Sequence, residues 1–370
     1  MTWVEAIERI RSRVEQTARS GHPGFPHFAD PDTKAWTWSP AGDWTGGYFN
    51  AMLWIGAANG PGADRDRWLE WARAFTHRLE PRLRSDSSSR ALLFYYGAAL
   101  GSILCGDRTA RDLAIEAARE IAAMYNPRAG VIPLGSAFEE VSDVGAAEAE
   151  IDMVQAVALL MWACRESGDT SLREIAVSHA RRHIEFCLRP DGSICQSASF
   201  DPSSGAMIRR YTHKGISDNS TWARAQAWAM LGWALAAHWC EDLSFLEPAG
   251  LAADWWIAHV PSDRIAFWDF DDPAIPNTNR DTSATAIAAA SLLKLATLTR
   301  DQRRRQKWRD AAEATVRALI DGHLGPEGGL WNGCFNKRIG LATRHELIWG
   351  TYYLFEALQV LAAKLDPTRV

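Results

Sequence analysis

No apolar run in this 370-residue chain reaches about 18 residues, the length at which a membrane-spanning helix becomes plausible. No transmembrane helix is therefore expected. A dominant sign of charge is lacking too. Forty Lys and Arg face 45 Asp and Glu, for a net charge of −5. Both signs are scattered, which gives no footing for nucleic acid or an anionic membrane. Cysteine is sparse: Cys105, Cys164, Cys187, Cys195, Cys240 and Cys334, none in C-x-x-C spacing. Isolated thiols in apolar, helical settings read as buried and reduced, which fits a cytoplasmic location. The ten histidines are read as showing no H-x-x-x-H or H-E-x-x-H pair, so no metal site is expected. The N-terminal stretch M-T-W-V-E-A-I-E-R-I-R-S-R-V is a charged amphipathic helix without the apolar core of a secretion signal.

Strand periodicity is nearly absent, and helix is abundant. Apolar periodicity between Gly-, Pro- and Asp-rich breaks predicts helices over 2–19, 46–60, 64–80, 88–105, 109–125, 146–167, 170–187, 220–240, 242–259, 282–300, 302–324 and 345–364. They are of two kinds. The first, third, fifth, seventh and eleventh are amphipathic and rich in Arg and Glu, and the ninth is a weaker case. The even-numbered ones are apolar nearly all round, as in R-A-L-L-F-Y-Y-G-A-A-L-G and M-V-Q-A-V-A-L-L-M-W-A. A helix apolar on every face is buried on every face. Links out of the apolar helices are short, often G-D, whereas links into them, such as 126–145, 188–219 and 260–281, are long. This alternation predicts an all-α, single-domain chain over residues 1–370. Its architecture is an (α/α)6 toroid of six inner and six outer helices, in preference to an open solenoid. The long links then gather at one mouth, where a ligand cleft belongs.

Four groups of residues stand at that mouth. Asp152, in A-E-A-E-I-D-M-V-Q-A-V, is the last charge before an apolar helix. It reads either as a first-turn carboxylate, a role Glu148 or Glu150 would fill equally well, or as a general acid. For the acid, desolvation and neighbouring carboxylates would raise the pKa. Arg224 and Trp228 are spaced i,i+4 on a mostly apolar helix. The guanidinium suits a ligand carboxylate, or else a buried Arg–Asp brace. Trp44, in G-D-W-T-G-G-Y-F-N, either stacks on a sugar or plugs the core. Among 18 tryptophans, Trp36, Trp38, Trp44, Trp222, Trp268 and Trp331 fall near turns, where an indole can serve as a sugar platform. Asp269, Asp271 and Asp272 read as turn formers, and Asp281 as the cap of the tenth helix.

These stretches carry a family resemblance. T-H-K-G-I-S-D-N-S-T-W-A-R-A-Q-A-W (212–228) resembles the H-Q-G-x-x-D-x-S-x-W-x-R-G-Q-A-W stretch of the unsaturated glucuronyl hydrolases, glycoside hydrolase family 88. So do D-W-T-G-G-Y-F-N-A-M-L-W (43–54), E-I-D-M (150–153), W-D-F-D-D-P-A-I-P (268–276), R-D-T-S-A-T-A-I-A-A (280–289) and L-I-W-G-T-Y-Y-L-F-E-A-L (347–358). The resemblance implies an (α/α)6 barrel that removes a 4,5-unsaturated uronic acid from oligosaccharides left by polysaccharide lyases. The route it implies is hydration of the C4=C5 vinyl ether, not displacement at the anomeric carbon. Asp152 matches the acid/base aspartate, Arg224 and Trp228 match contacts to the unsaturated sugar, and Trp44 matches the stacking tryptophan. His213 keeps the family's place in the T-H-K-G stretch, as a substrate contact. The implied partner is an oligosaccharide with a terminal uronate, bound by a monomer or homodimer without cofactor. The chain also departs from the pattern. The family's His-Asp before its second inner helix falls on Ser88-Ser89, so Ser89 stands where a second essential carboxylate is expected. Asp86, three residues upstream, could substitute only with a rearranged loop. A family His falls on Gln196 and a family Gln on Lys214. These exchanges point to an altered sugar or a different carboxylate arrangement, with Ser89, Gln196 and Lys214 still lining the site.

Overall fold

The computed structural model describes residues 1–137 and 147–370 and is mostly helical. The helices are α1 (Trp3–Arg19), α2 (Gly46–Asn59), α3 (Gly62–His77), α4 (Arg90–Phe94), α5 (Leu100–Cys105), α6 (Arg108–Ala122), α7 (Ala156–Ser167), α8 (Ser171–Cys187), α9 (Ala223–Trp239), α10 (Leu246–His259), α11 (Thr282–Leu298), α12 (Gln302–Gly322) and α13 (Ile348–Leu361). A π-helical turn, Tyr95–Ala99, joins α4 to α5. No helix among the described residues is long and apolar enough to cross a membrane.

Local chemistry sets the helix ends. Thr2 and Glu5 form a reciprocal capping box on α1. The short G-D links work as the sequence suggests. Gly106 and Gly168 end α5 and α7 in the left-handed conformation, at φ 69° and 76°, which glycine adopts at low cost. Asp107 then caps α6, its carboxylate accepting from the Ala110 amide at 2.9 Å.

The two kinds of helix separate as expected. Helix α9 is buried at every residue except His238, α11 from Thr282 through Ala296, and α13 from Ile348 through Gln359. Each of α2, α7, α9 and α11 packs against the amphipathic helix that follows it, and the π-helical turn packs against α6. The buried helices also contact one another in sequence, and α13 packs back onto α2. The first helix, α1, lies against α13, so the two ends of the chain meet.

The expectation of almost no strand needs correction. Six short strands occur among the described residues: β1 (Phe25–Ala29), β2 (Trp36–Ser39), β3 (Glu148–Glu150), β4 (Ser197–Phe200), β5 (Met207–Tyr211) and β6 (Glu346–Leu347). They form two antiparallel sheets, ordered β2-β1-β6 and β3-β4-β5. Segments of two to five residues are too short for periodicity to reveal. One of them displaces a predicted helix start. The helix expected from 146, a position outside the described residues, instead begins at Ala156. Strand β3 and a 3-10 turn, Ile151–Gln155, precede it.

Candidate active site

Strand β3 and its turn build one wall of the site. Side chains alternate across a strand, so Glu148 and Glu150 share a face. In register, Glu148 lies opposite Ser199 and Glu150 opposite Ser197. Glu148 accepts from the Tyr211 hydroxyl at 2.6 Å. Glu150, its side chain 1% exposed, pairs with His213 Nε2 at 3.1 Å. A carboxylate only accepts, so His213 donates from Nε2, and Nδ1 is left to face the Ser197 hydroxyl at 3.4 Å. Gln196 locks the corner. Its Nε2 lies 3.2 Å from His213 Nε2 and 3.5 Å from Glu150, and its Oε1 accepts from the Thr212 hydroxyl at 2.6 Å and the Lys214 amide at 3.2 Å.

Asp152 sits on the 3-10 turn that follows, and it is buried. Its Oδ1 is shut away from solvent with no hydrogen-bond partner among the described residues. Burial, and then the nearby Glu150 charge, push its carboxyl up to about 8, while Lys214, His213 and Arg224 pull it down. Near neutral pH it is a buried carboxylic acid, as expected from its place in the sequence. The expected cause, desolvation with a neighbouring carboxylate, also matches.

Lys214 is buried, its ammonium 5.4 Å from the Phe335 ring centre, 5.5 Å from Trp222 and 5.8 Å from Trp44. Trp44 is buried as well, 4.6 Å from the Trp349 ring and edge-on to Tyr48 at 6.2 Å. Beside it, His27 Nδ1 meets Asp43 at 2.9 Å.

Arg224 and Trp228, both expected as sugar contacts, have protein partners of their own. The Arg224 guanidinium is 1% exposed and lies 2.6 Å from Asp281. It also donates to the Cys334 and Phe335 carbonyls. This is the Arg–Asp brace, and the same guanidinium also pulls the Asp152 carboxyl down, so it stands among the groups around that acid. Trp228 is wholly buried, with its ring edge-on to Tyr353 at 5.6 Å. Asp281 is the cap it was expected to be, accepting from Ser283 and Ala284 amides at the start of α11.

Ser89 is buried just before α4, its hydroxyl 2.7 Å from that of Ser87. Asp86 does not take its place. That carboxylate accepts from the Ser136 amide at 3.0 Å and the Ser136 hydroxyl at 2.5 Å, turned toward the following loop. Asp269 and Asp272 form local turns as read, accepting from the Asp271 and Ala274 amides, but Asp269 and Asp271 also tie this loop to the distant segment 216–221. Asp269 accepts from the Ile216 amide and Ser220 hydroxyl, Asp271 from the Thr221 amide, and Asp272 from Trp268 Nε1.

The sequence reading missed the Glu150–His213 pair, treating Glu150 only as a carboxylate that could serve in a first helical turn. The alternation in E-A-E-I-D carried the signal, because period two puts both glutamates on one face. It also passed over H-A-R-R-H, whose His179 and His183 share a helix face with centroids 4.3 Å apart. Both rings are spent on backbone groups: Ile132 N and Met153 O for His179, His179 O and Glu150 O for His183. No group of three or more potential ligands that could hold a metal occurs among the described residues.

No protein-family model matches the chain. An unsaturated glucuronyl hydrolase of Bacillus sp. (strain GL1) is 32% identical over 363 residues, covering 96% of each chain. An unsaturated chondroitin disaccharide hydrolase of Streptococcus pneumoniae (strain ATCC BAA-255 / R6) is 28% identical over 369 residues, 96% of this chain and 90% of that one. A solved unsaturated glucuronyl hydrolase variant with dGlcA-Glc-Rha-Glc superposes with a TM-score of 0.90 at 31% identity, covering 97% of each chain.

Proposed function

The chain belongs to the unsaturated glucuronyl hydrolases, glycoside hydrolase family 88, and on that premise we propose that it removes a 4,5-unsaturated uronic acid from the non-reducing end of lyase-generated oligosaccharides. The single observation that carries this reading is Asp152, a buried carboxyl held protonated near neutral pH with an unpartnered oxygen. Its proton passes to C4, and water adds its oxygen to C5 and releases a proton to the carboxylate left behind. The vinyl ether becomes a hemiketal, which opens and frees the glycosidic oxygen. The acid is thereby restored.

In this reading Arg224 and Lys214 both act on the uronate end of the sugar. A lysine among Trp44, Trp222 and Phe335 offers a desolvated cation at the same corner as Asp152. Trp44 supplies an apolar sugar-facing surface, with His213, Gln196 and Ser89 around it. Trp228 is a further sugar contact, four residues on from Arg224 along α9. The reading includes the closed (α/α)6 toroid as one domain, which the return of α13 onto α2 supports. The six free thiols suit a cytoplasmic setting.

The test is a panel of unsaturated disaccharides from several lyases, followed by loss of the conjugated uronate's ultraviolet band. Wild type is expected to bleach at least one, and Asp152→Asn none. The joint change at Ser89, Gln196 and Lys214 favours a second outcome, a shifted uronide preference. Binding without turnover across the panel would refute the hydrolase reading and leave a sugar-binding protein.

A further inference from the structure

Relatives that follow the family pattern are expected to carry a second carboxylate where this chain has Ser89, and Asp86 is turned away from that place. Yet a buried carboxylate does stand two residues from the acid along the chain, at Glu150. Residues 150 and 152 straddle the junction of β3 and its 3-10 turn, and that turn packs on α4, the helix that Ser89 precedes. The two positions thus approach one site from two elements. Glu150 is held there by His213 at 3.1 Å and by Gln196. Gln196 and Lys214 are themselves departures from the family pattern, so the exchanges cluster around Glu150.

We propose that Glu150 serves this chain as the relocated second carboxylate, a positioning residue whose charge keeps the proton on Asp152. The groups acting on Asp152 come from several elements. Glu150 belongs to β3, His213 and Lys214 to the segment after β5, and Arg224 to α9. Tyr48 of α2 and Cys187 of α8 also sense the Asp152 charge. Glu150 is the only anion among them, and it favours the protonated acid, whereas the cations oppose it. Clamping by His213 fixes where that charge sits. With Glu150 in place, a carboxylate at position 89 is dispensable, and the loop before α4 closes around serines.

The inference rests on the hydrolase reading, and its test separates the two. For wild type, E150Q, E150D and S89D/E150Q, kcat/KM on an unsaturated disaccharide is measured against pH. Removing the neighbouring charge lets Asp152 ionise at lower pH. E150Q should therefore lose activity increasingly from about pH 6 to pH 9, and a limb that moves down by about one pH unit costs about tenfold at the upper end. E150D keeps the charge and should hold the wild-type limb. S89D/E150Q should move the limb back up. A pH-independent loss in E150Q, an E150D limb displaced as far as that of E150Q, or no recovery in the double variant would overturn the proposal. Wild type inactive on every substrate would strike the hydrolase reading instead. In that event the infrared carboxylic-acid band in wild type minus D152N at pH 7 still decides. The band should be strong against wild type and weak when the subtraction is made in the E150Q background, and equal bands would overturn the inference.

Discussion

Arg224 shows how a sequence can single out a residue and leave its two readings open. Its place in an apolar helix marked it as consequential, and the brace was one of two readings. The sequence has no means of showing that Asp281, 57 positions away, would arrive 2.6 Å from it. Breaking a buried pair leaves an uncompensated charge, which costs about 3–5 kcal/mol. Arg224→Ala is therefore expected to lower stability by that order in denaturant melts. A variant with wild-type stability and a raised KM would leave the arginine to the uronate alone. Asp152 could be singled out because it is the last charge before an apolar run. Its elevated pKa also has a stability consequence. The unfolded chain ionises Asp152 near the ordinary 3.8, while the folded chain holds the proton up to about 8. Between those values the unfolded state gains by releasing a proton. The fold thus loses stability as pH rises, by a few kcal/mol at pH 7 before relaxation. Asp152→Asn should raise Tm clearly at pH 8 and little at pH 4, while removing activity. An equal shift at both pH values would mean the acid is not held protonated.

At the scale of elements, the helices were readable because each carries a dozen or more residues of sustained periodicity and ends at Gly or Asp. The strands were not, since β3 has three residues and its meaning lies in pairing with β4, far along the chain. The glycines of the buried helices have a packing purpose that composition only hints at. A methyl group added to Gly56 of α2 would sit 2.2 Å from Cε3 of Trp68 on α3. The Trp68 ring is wholly buried and has no room to retreat. Overpacking of this kind costs about 1–3 kcal/mol, so Gly56→Ala should lower the melting temperature with little change in KM. A stability at or above wild type would show that α2 and α3 can separate to admit a methyl.

For the whole molecule, alternating buried and amphipathic helices explain why chemistry collects where it does. Polar side chains inside the buried helices, such as Asn50 of α2 and the Lys294–Glu356 pair of α11 and α13, are spent on protein partners, and the strands and long links stand at the helix ends. Asp152, Glu150, His213, Lys214 and Trp44 all lie on such segments or on the first helical turn beyond them. The fold was legible from periodicity. The site was legible only where one residue type announced its chemistry, and not where two distant segments had to meet. The central claim is that a protonated Asp152 performs the hydration. The pH dependence of kcat/KM on an unsaturated uronyl disaccharide tests it most directly. The account predicts an alkaline limb near the pH where Asp152 ionises, about 8, and no turnover in Asp152→Asn at any pH. Undiminished activity well above that pH, or a fully active asparagine variant, would contradict it.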